Sequence, residues 1–265
     1  MRVAVVGHVE WVQFARVARV PAPGEIVHAF ETWEAAGGGG AVAAVVLARL
    51  AGAAEFLTAL GDDGFGHRAA EELGAHGIDV HVAWRSEPQR RGFVFVDDDH
   101  ERTITVMGRR PVPHAADPLP WDSLGDVDAV YFTGGDTGAL RAARAARVLV
   151  ATPRARQAFE GAGVELDALV HSGSDAGEAY RPGDPAPKLV VTTRGGKGGE
   201  YEAADGRTGT WAAAPLPGPP VDSYGAGDSF AAALTYALGK GVDIDAALAE
   251  AAGSGAAALA SRGPY

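Results

Sequence analysis

Near the end of the chain, Val221-Asp222-Ser223-Tyr224-Gly225-Ala226-Gly227-Asp228-Ser229-Phe230 sets three small residues before an acid. An apolar, alanine-rich run follows, from Phe230 to Leu238. The run predicts a helix, with Gly225 to Gly227 at or just before its first turn. Backbone N–H groups at a helix N-terminus have no intrahelical partner, and with the helix dipole they hold an anion. Small residues let a phosphate come close to that backbone. Asp228 is out of place beside an anion unless it takes a proton from the group that attacks it. The pattern implies phosphoryl transfer to a hydroxyl, with Asp228 as general base. The competing reading is an ordinary first-turn aspartate that only favours the dipole.

The elements that must position this segment are those of an α/β protein. The chain has 265 residues, enough for one large α/β domain. Its net charge of −11 and the lack of a Lys/Arg stripe argue against nucleic acid as a partner. There are no cysteines, which excludes disulfides and thiolate chemistry. The first apolar run, Met1 to Gly7, is too short for a signal peptide, and no stretch approaches a membrane span. A cytoplasmic protein without membrane partners is expected.

Short apolar runs at Val3–Val6, Glu55–Leu60, Ala129–Phe132, Val148–Ala151, Ala168–His171 and Leu189–Thr193 predict buried strands. Helices are predicted at Ala41–Leu50, Phe65–His76, Gly138–Arg147 and Ala251–Ala260. Strands alternating with helices imply a mostly parallel central sheet, flanked by helices on both faces. Ligands bind beyond the carboxyl ends of such strands. Gly7, Gly134, Gly135 and Gly195 fall there. Residues 12–34 and 92–107 alternate as hairpins and fit no βαβ repeat. They predict a small β-sheet lid on a single domain, 1–265.

Two signatures carry a family resemblance: Gly37-Gly38-Gly39-Gly40-Ala41 with its alanine-rich helix, and Asp222-Ser223-Tyr224-Gly225-Ala226-Gly227-Asp228. Pro23-Gly24-Glu25 and Gly61-Asp62-Asp63-Gly64-Phe65-Gly66 agree with it in order and spacing. The chain resembles the ribokinase, or PfkB-type, carbohydrate and nucleoside kinases. The resemblance implies Asp228 as catalytic base and Gly225, Ala226 and Gly227 as an anion hole for the γ-phosphoryl group. It implies Gly37, Gly38 and Gly40 against the sugar, and Thr193, Gly195 and Gly198 along the nucleotide. Asp175 falls where the family has the glutamate of an Asn-x-x-Glu motif near magnesium and phosphates. Ser254 is expected near the adenine. Asp222 and Ser223 match positions that in many members help bind a monovalent cation, here K⁺. ATP and Mg²⁺ are the implied donor and metal.

The substrate end departs from ribokinase. Val42 stands where ribokinase-like members have a sugar-binding Asn, and Val12 stands in place of the sugar-binding Asp. Glu10 is a candidate replacement acid, and Trp11 a candidate stacking ring, its alternative being to fill the base of the lid. His8 and Asp136 lie at strand ends, as substrate contacts or as backbone-bonded loop residues. Arg109 and Arg110 follow the second hairpin. They read as a solvated turn, with reach to a substrate phosphate or carboxylate as the alternative. At the nucleotide end Ser172 and Gly173 replace the motif's Asn and the residue after it, and the C-terminus at Tyr265 leaves no longer tail for the adenine.

The reading is an ATP-dependent kinase acting on a primary hydroxyl of a small sugar or sugar-like acceptor. The alternatives are a nucleoside kinase, its base stacked on Trp11, Phe14 or Trp33, and a non-catalytic sugar- or nucleotide-binding protein. A lid sheet with an unpaired edge also implies a homodimer through the lids.

Overall fold

Strand β1 (Val3–His8) is buried along its whole length, and its side chains alternate between two cores. Val3 and Val5 face one apolar layer, Ala4 and Val6 the other. A strand with both faces covered reads as a continuous apolar run, as here. The structure, a computed structural model, describes residues 1–183 and 185–265. After β1 the chain forms β2 (Glu10–Arg16), β3 (Glu31–Gly37), α1 (Gly38–Ala51), β4 (Ala54–Gly61), α2 (Gly64–Ala75) and β5 (Ile78–Arg85). Next come β6 (Arg91–Val96), β7 (Arg102–Met107), β8 (Ala129–Phe132), α3 (Thr137–Ala143), β9 (Val148–Ala151), α4 (Arg156–Phe159) and β10 (Ala168–Ser172). The chain ends with β11 (Leu189–Thr193), β12 (Gly199–Ala203), β13 (Thr208–Trp211), α5 (Ala226–Gly239) and α6 (Ile244–Leu259).

The larger sheet has the order β13-β12-β11-β10-β9-β8-β1-β4-β5. From β5 to β11 all neighbours are parallel, and β12 and β13 close the edge antiparallel. Helices α1, α2, α5 and α6 contribute to the core on one face, α3 and α4 to the core on the other. The chain leaves β1 towards β4 and β5, then returns to β1's other side as β8. That reversal makes a crevice at the carboxyl ends of β1 and β8, where ligands bind in open α/β sheets. His8 and Thr133 stand at it.

The smaller sheet has the order β3-β2-β6-β7. The two expected hairpins are joined through a parallel β2–β6 pair. Val12, Phe14, Val94 and Val96 form its core together with Val42 of α1 and Tyr224.

Several boundaries differ from expectation. Helix α1 begins at Gly38, three residues early, because close packing rather than helix propensity decides its first turn. Gly7 lies inside β1, not beyond it. Helix α3 ends at Ala143, where Arg144 folds back onto the carbonyls of Ala146 and Arg147. Helix α6 begins at Ile244, capped by Asp243, which accepts from Ala246 N. Strands β5, β12 and β13 were not expected.

The Gly61-to-Gly66 segment is a structural turn. One oxygen of Asp63 accepts from Phe65 N and Gly66 N, both at 3.0 Å, and the other from Gln89 N at 2.9 Å. This cap starts α2 and ties it to the segment entering β6. Among the described residues no helix is long and apolar enough to cross a membrane. Asp63→Ala should lower the unfolding free energy by about 1–2 kcal/mol or more in urea titrations, since three backbone donors lose their acceptor.

Candidate active site

The expected helix after Gly227 is α5, and its start has the geometry an anion requires. Gly225 is the N-cap, in the left-handed region at φ 77°. A Cβ there would lie 2.8 Å from Pro264 O as well, so the position takes only glycine at low cost. Ala226, Gly227 and Asp228 follow as the first helical residues. No side chain caps this helix, so their N–H groups keep no protein acceptor from a cap. Gly227 is exposed, with open space where a side chain would be. Helix α1 likewise starts without a side-chain cap, at Gly37. Helices α2, α3 and α6 are each capped by an aspartate.

The uncapped starts of α1 and α5 meet. A Cβ on Gly39, in the first turn of α1, would lie 2.6 Å from Asp228 Oδ1, so glycine is what admits the carboxylate. Among the described residues no side chain or backbone group donates a hydrogen bond to Asp228. Its oxygens are free to accept a proton. Burial pushes the Asp228 carboxyl up to about 6; Glu178 adds to this, and Arg102 and Arg154 oppose it.

The glycine segment holds the lid to this centre. Gly38 N donates to the buried Tyr224 Oη at 2.9 Å, and Gly37 packs under Tyr224 and Val12. Gly40 is buried against the backbone of His8 and the ring of Phe56, a packing contact. Val12 and Val42, at the departures from ribokinase, are both fully buried in the lid core.

Glu10 is buried beside the centre, its Oε1 2.7 Å from Arg90 Nε and 4.0 Å from His8 Nε2. Trp11 does not offer a ring face to a substrate. It is 2% exposed, with Arg68 over the ring at 4.3 Å and Phe65 beside it. Phe14 and Trp33 stack on each other at 4.9 Å, and Arg262 covers Trp33, so the lid aromatics expected for a base are engaged. Asp136 is the N-cap of α3. Its Oδ1 accepts from Ala139 N at 2.7 Å and Ala115 N at 3.1 Å, a structural duty.

On the nucleotide side, β10 and β11 pair so that Ser172 lies opposite Thr193. Arg194 N donates to Gly198 O and Gly198 N to Gly195 O, closing a tight loop beyond β11. Ser254 sits on α6 next to Gly255, which packs on Ala226 O at the start of α5. Asp175 accepts from Gly177 N at 2.8 Å and pairs with Arg154 at 2.5 Å. Sequence reasoning missed Glu178. Its Oε2 accepts from Ser172 N at 2.9 Å and its Oε1 pairs with Arg154 Nε at 2.7 Å. A count of three from Ser172 stops at Asp175. The acid that touches the Ser172 backbone lies three residues further on.

Asp175 and Glu178 are hard oxygen donors at one strand end. Mg²⁺ carried by phosphates and water asks for no more than one or two carboxylates, so this pair fits it. The expected K⁺ position does not fit. Asp222 is 2% exposed, and its oxygens accept from Tyr224 N at 2.8 Å and Gly263 N at 3.1 Å. The Ser223 carbonyl accepts from Arg102. These groups brace the turn before Gly225, and burial raises the Asp222 carboxyl.

Comparison with known proteins bears on this geometry. Residues 1–159 and 165–265 match the family model described as pfkB family carbohydrate kinase. An ATP-dependent ribose-1-phosphate kinase from Halopiger xanaduensis is 29% identical over 278 residues, covering 97% of this chain and 91% of that protein. The structure of Arabidopsis thaliana ribokinase complexed with ribose and ATP superposes with a TM-score of 0.77 at 22% identity, covering 99% and 93% of the two chains. Adenosine kinase from Sinorhizobium meliloti gives 0.77 at 18% identity, covering 99% and 95%.

The raised Asp228 carboxyl has a consequence for stability. A carboxyl whose folded value, about 6, lies above its ordinary 3.8 opposes folding once ionised. The penalty is absent below pH 3.8, grows between 3.8 and 6, and is full above 6. Asp228→Asn should therefore be more stable than the parent at pH 8, by about 1–2 kcal/mol in a cleft open to solvent. The gain should shrink when the urea titration is repeated at pH 5.

Proposed function

This chain belongs to the pfkB family of carbohydrate kinases, and is a phosphotransferase with an alcohol acceptor; within that family we propose that it moves the γ-phosphoryl group of ATP to a primary hydroxyl of a small sugar. The observation that carries the reading is the convergence of a free carboxylate and an uncapped helix start on one point. Asp228 takes the proton of the acceptor hydroxyl as its oxygen attacks. The new O–P bond forms, the bond to the β-phosphate oxygen breaks, and ADP leaves. The N–H groups of Ala226, Gly227 and Asp228 steady the charge on the phosphoryl oxygens.

Thr193, Gly195 and Gly198 line the strand-end loop proposed to hold the nucleotide, and Ser254 stands on the helix beside it. Asp175 and Glu178 would hold Mg²⁺ through water, and the ion would supply charge neutralisation on the phosphates. Arg154, shared by both acids, keeps them fixed. The small sheet acts as a lid: Arg102 reaches the Ser223 carbonyl, and His100 Nδ1 lies 3.1 Å from Val221 O. Closing it over the acceptor excludes water and limits ATP hydrolysis. Edge strand β7 leaves Ile104 and Val106 exposed, which supports pairing of two lids in a homodimer.

The relative named for ribose 1-phosphate and the neighbour bound to ribose and ATP support a small sugar acceptor and ATP as donor. The engaged lid aromatics speak against a nucleoside base. The free carboxylate speaks against a protein that only binds.

The test is ADP release with Mg²⁺ across a panel of sugars and nucleosides. Asp228→Asn should keep its fold, judged by circular dichroism, and lose about 10²–10⁴-fold in kcat. In the parent enzyme kcat/KM should rise as the pH passes about 6 and level off above it, as the base loses its proton. Near-normal turnover in Asp228→Asn would sink the mechanism.

A further inference from the structure

The turn that leads into α5 offers two carbonyls, at Val221 and Ser223, and side chains of the lid hairpin meet both. His100 Nδ1 lies 3.1 Å from Val221 O, and Arg102 Nη1 donates to Ser223 O. Asp222, between them, is satisfied by the backbone: one oxygen accepts from Tyr224 N at 2.8 Å, the other from Gly263 N at 3.1 Å. Asp222 and Ser223 are the residues that the family resemblance gives to K⁺. Here the carboxylate and the Ser223 carbonyl already have their donors. An ion bound to them would have to displace a guanidinium and two backbone N–H groups.

The hairpin is built to deliver these contacts. Asp97 Oδ1 accepts from Asp99 N and Glu101 N, both at 3.1 Å, and Asp97 O accepts from His100 N at 3.0 Å. His100 is the one non-glycine among the described residues in the left-handed region, at φ 62°. A side chain there costs free energy, and this one is held where its imidazole reaches Val221. Arg102 pairs in register with Val96 of the lid core, and its guanidinium lies 5.9 Å from the centre of the Tyr224 ring.

Among the described residues Arg102 forms no ion pair with a carboxylate. Its charge is spent on the turn. It favours the ionised form of Asp222, on one side of the turn, and of Asp228, on the other. A guanidinium stays ionised at any pH the fold meets, and its planar fork suits a carbonyl. Because it is part of the chain, its presence does not depend on the concentration of a dissolved ion.

We propose that the Arg102 guanidinium is the built-in cation of this turn: it holds the Ser223 carbonyl, orients the chain into Gly225 and the N–H groups behind it, and makes K⁺ unnecessary. The proposal rests on the kinase reading above. Arg102 is a positioning residue. It acts on the phosphoryl group through the turn and on Asp228 through its field, and no bond is made or broken at it. The competing reading is a surface latch that fastens the lid and leaves the chemistry alone.

The test measures ADP release with Mg²⁺ in the chlorides of potassium, sodium and N-methylglucamine at equal ionic strength. The parent, Arg102→Met, Arg102→Lys and Asp228→Asn are assayed in parallel. Urea titrations in the same salts give a readout that needs no turnover. In the parent, kcat and the unfolding midpoint should be the same in all three, since an ion bound only by the folded state raises the midpoint. Arg102→Met should lose about 10²-fold in kcat with little change in the KM of the acceptor, and Arg102→Lys should restore part of it. The rise of kcat/KM with pH should move above the parent's value of about 6 in Arg102→Met and stay near it in Arg102→Lys, because Arg102 favours the ionised base. A latch alone would lower the midpoint and leave that pH profile in place. Activation of the parent by potassium, a midpoint raised by potassium alone, or full turnover or an unmoved pH profile in Arg102→Met overturns the proposal and leaves the kinase reading standing. Absence of ADP release above the Asp228→Asn blank from every acceptor overturns both.

Discussion

Two helices, α1 and α5, begin without a side-chain cap, and their first turns meet at the carboxylate of Asp228. Each start carries N–H groups without an intrahelical partner and the positive end of a dipole; in α1 the first of them, Gly38 N–H, goes to Tyr224 Oη. The starts of α2, α3 and α6 are instead satisfied by Asp63, Asp136 and Asp243. Leaving two of them open at one point builds a field that tolerates a half-buried carboxylate and still has donors to spare for an anion. The rest of the structure serves this junction. Gly39 keeps room for the carboxylate, Gly225 turns the chain into α5, and Asp222 braces the turn before it from both oxygens. Tyr224 then ties the junction to the lid through the Gly38 N–H.

Charge around the junction is arranged in opposition. Burial and Glu178 raise the Asp228 carboxyl, while Arg102 from the lid and Arg154 from the strand ends lower it. Burial works against the charge of Arg154 as well, but Glu178 and Asp175 outweigh it and hold that guanidinium ionised. The outcome is a carboxyl near 6, strong enough to take a proton and weak enough to be ionised at neutral pH. Arg102 makes this balance depend on the lid. Lying on β7 against the Ser223 carbonyl, it favours the ionised carboxylate.

The strands of the central sheet were legible because burial on both faces makes each an apolar run; β8, β9 and β11 are read to the residue. Strand β5 was missed although Ile78, Val80 and Val82 alternate, since Asp79, His81 and Arg85 dilute the run. Strands β12 and β13 are short and carry glutamates and threonines on an open face. The start of α1 was misjudged because glycine is a poor helix former, yet only glycine fits between His8 and Asp228. The start of α5 at Gly225, with Asp228 in its first turn, was legible, since a small-residue turn before an acid and an apolar run marks a helix start. The substrate side was not. Trp11 and Asp136 have the residue types of ligand contacts, and burial under Arg68 and capping of α3 are tertiary facts. Glu178 is significant only through the strand end that brings it to the Ser172 backbone.

The valines at positions 12 and 42 and the buried His8 belong to one argument. Both valines are fully buried in the lid core, where they add to packing around Phe14 and Tyr224 and give up polar contact with a sugar ring. An apolar wall discriminates weakly between molecules that differ by a hydroxyl, whereas a buried polar group left unpaired rejects a wrong ligand strongly. The His8 Nδ1 is such a group: it is buried beside Gly134 at the crevice, without a hydrogen-bond partner among the described residues.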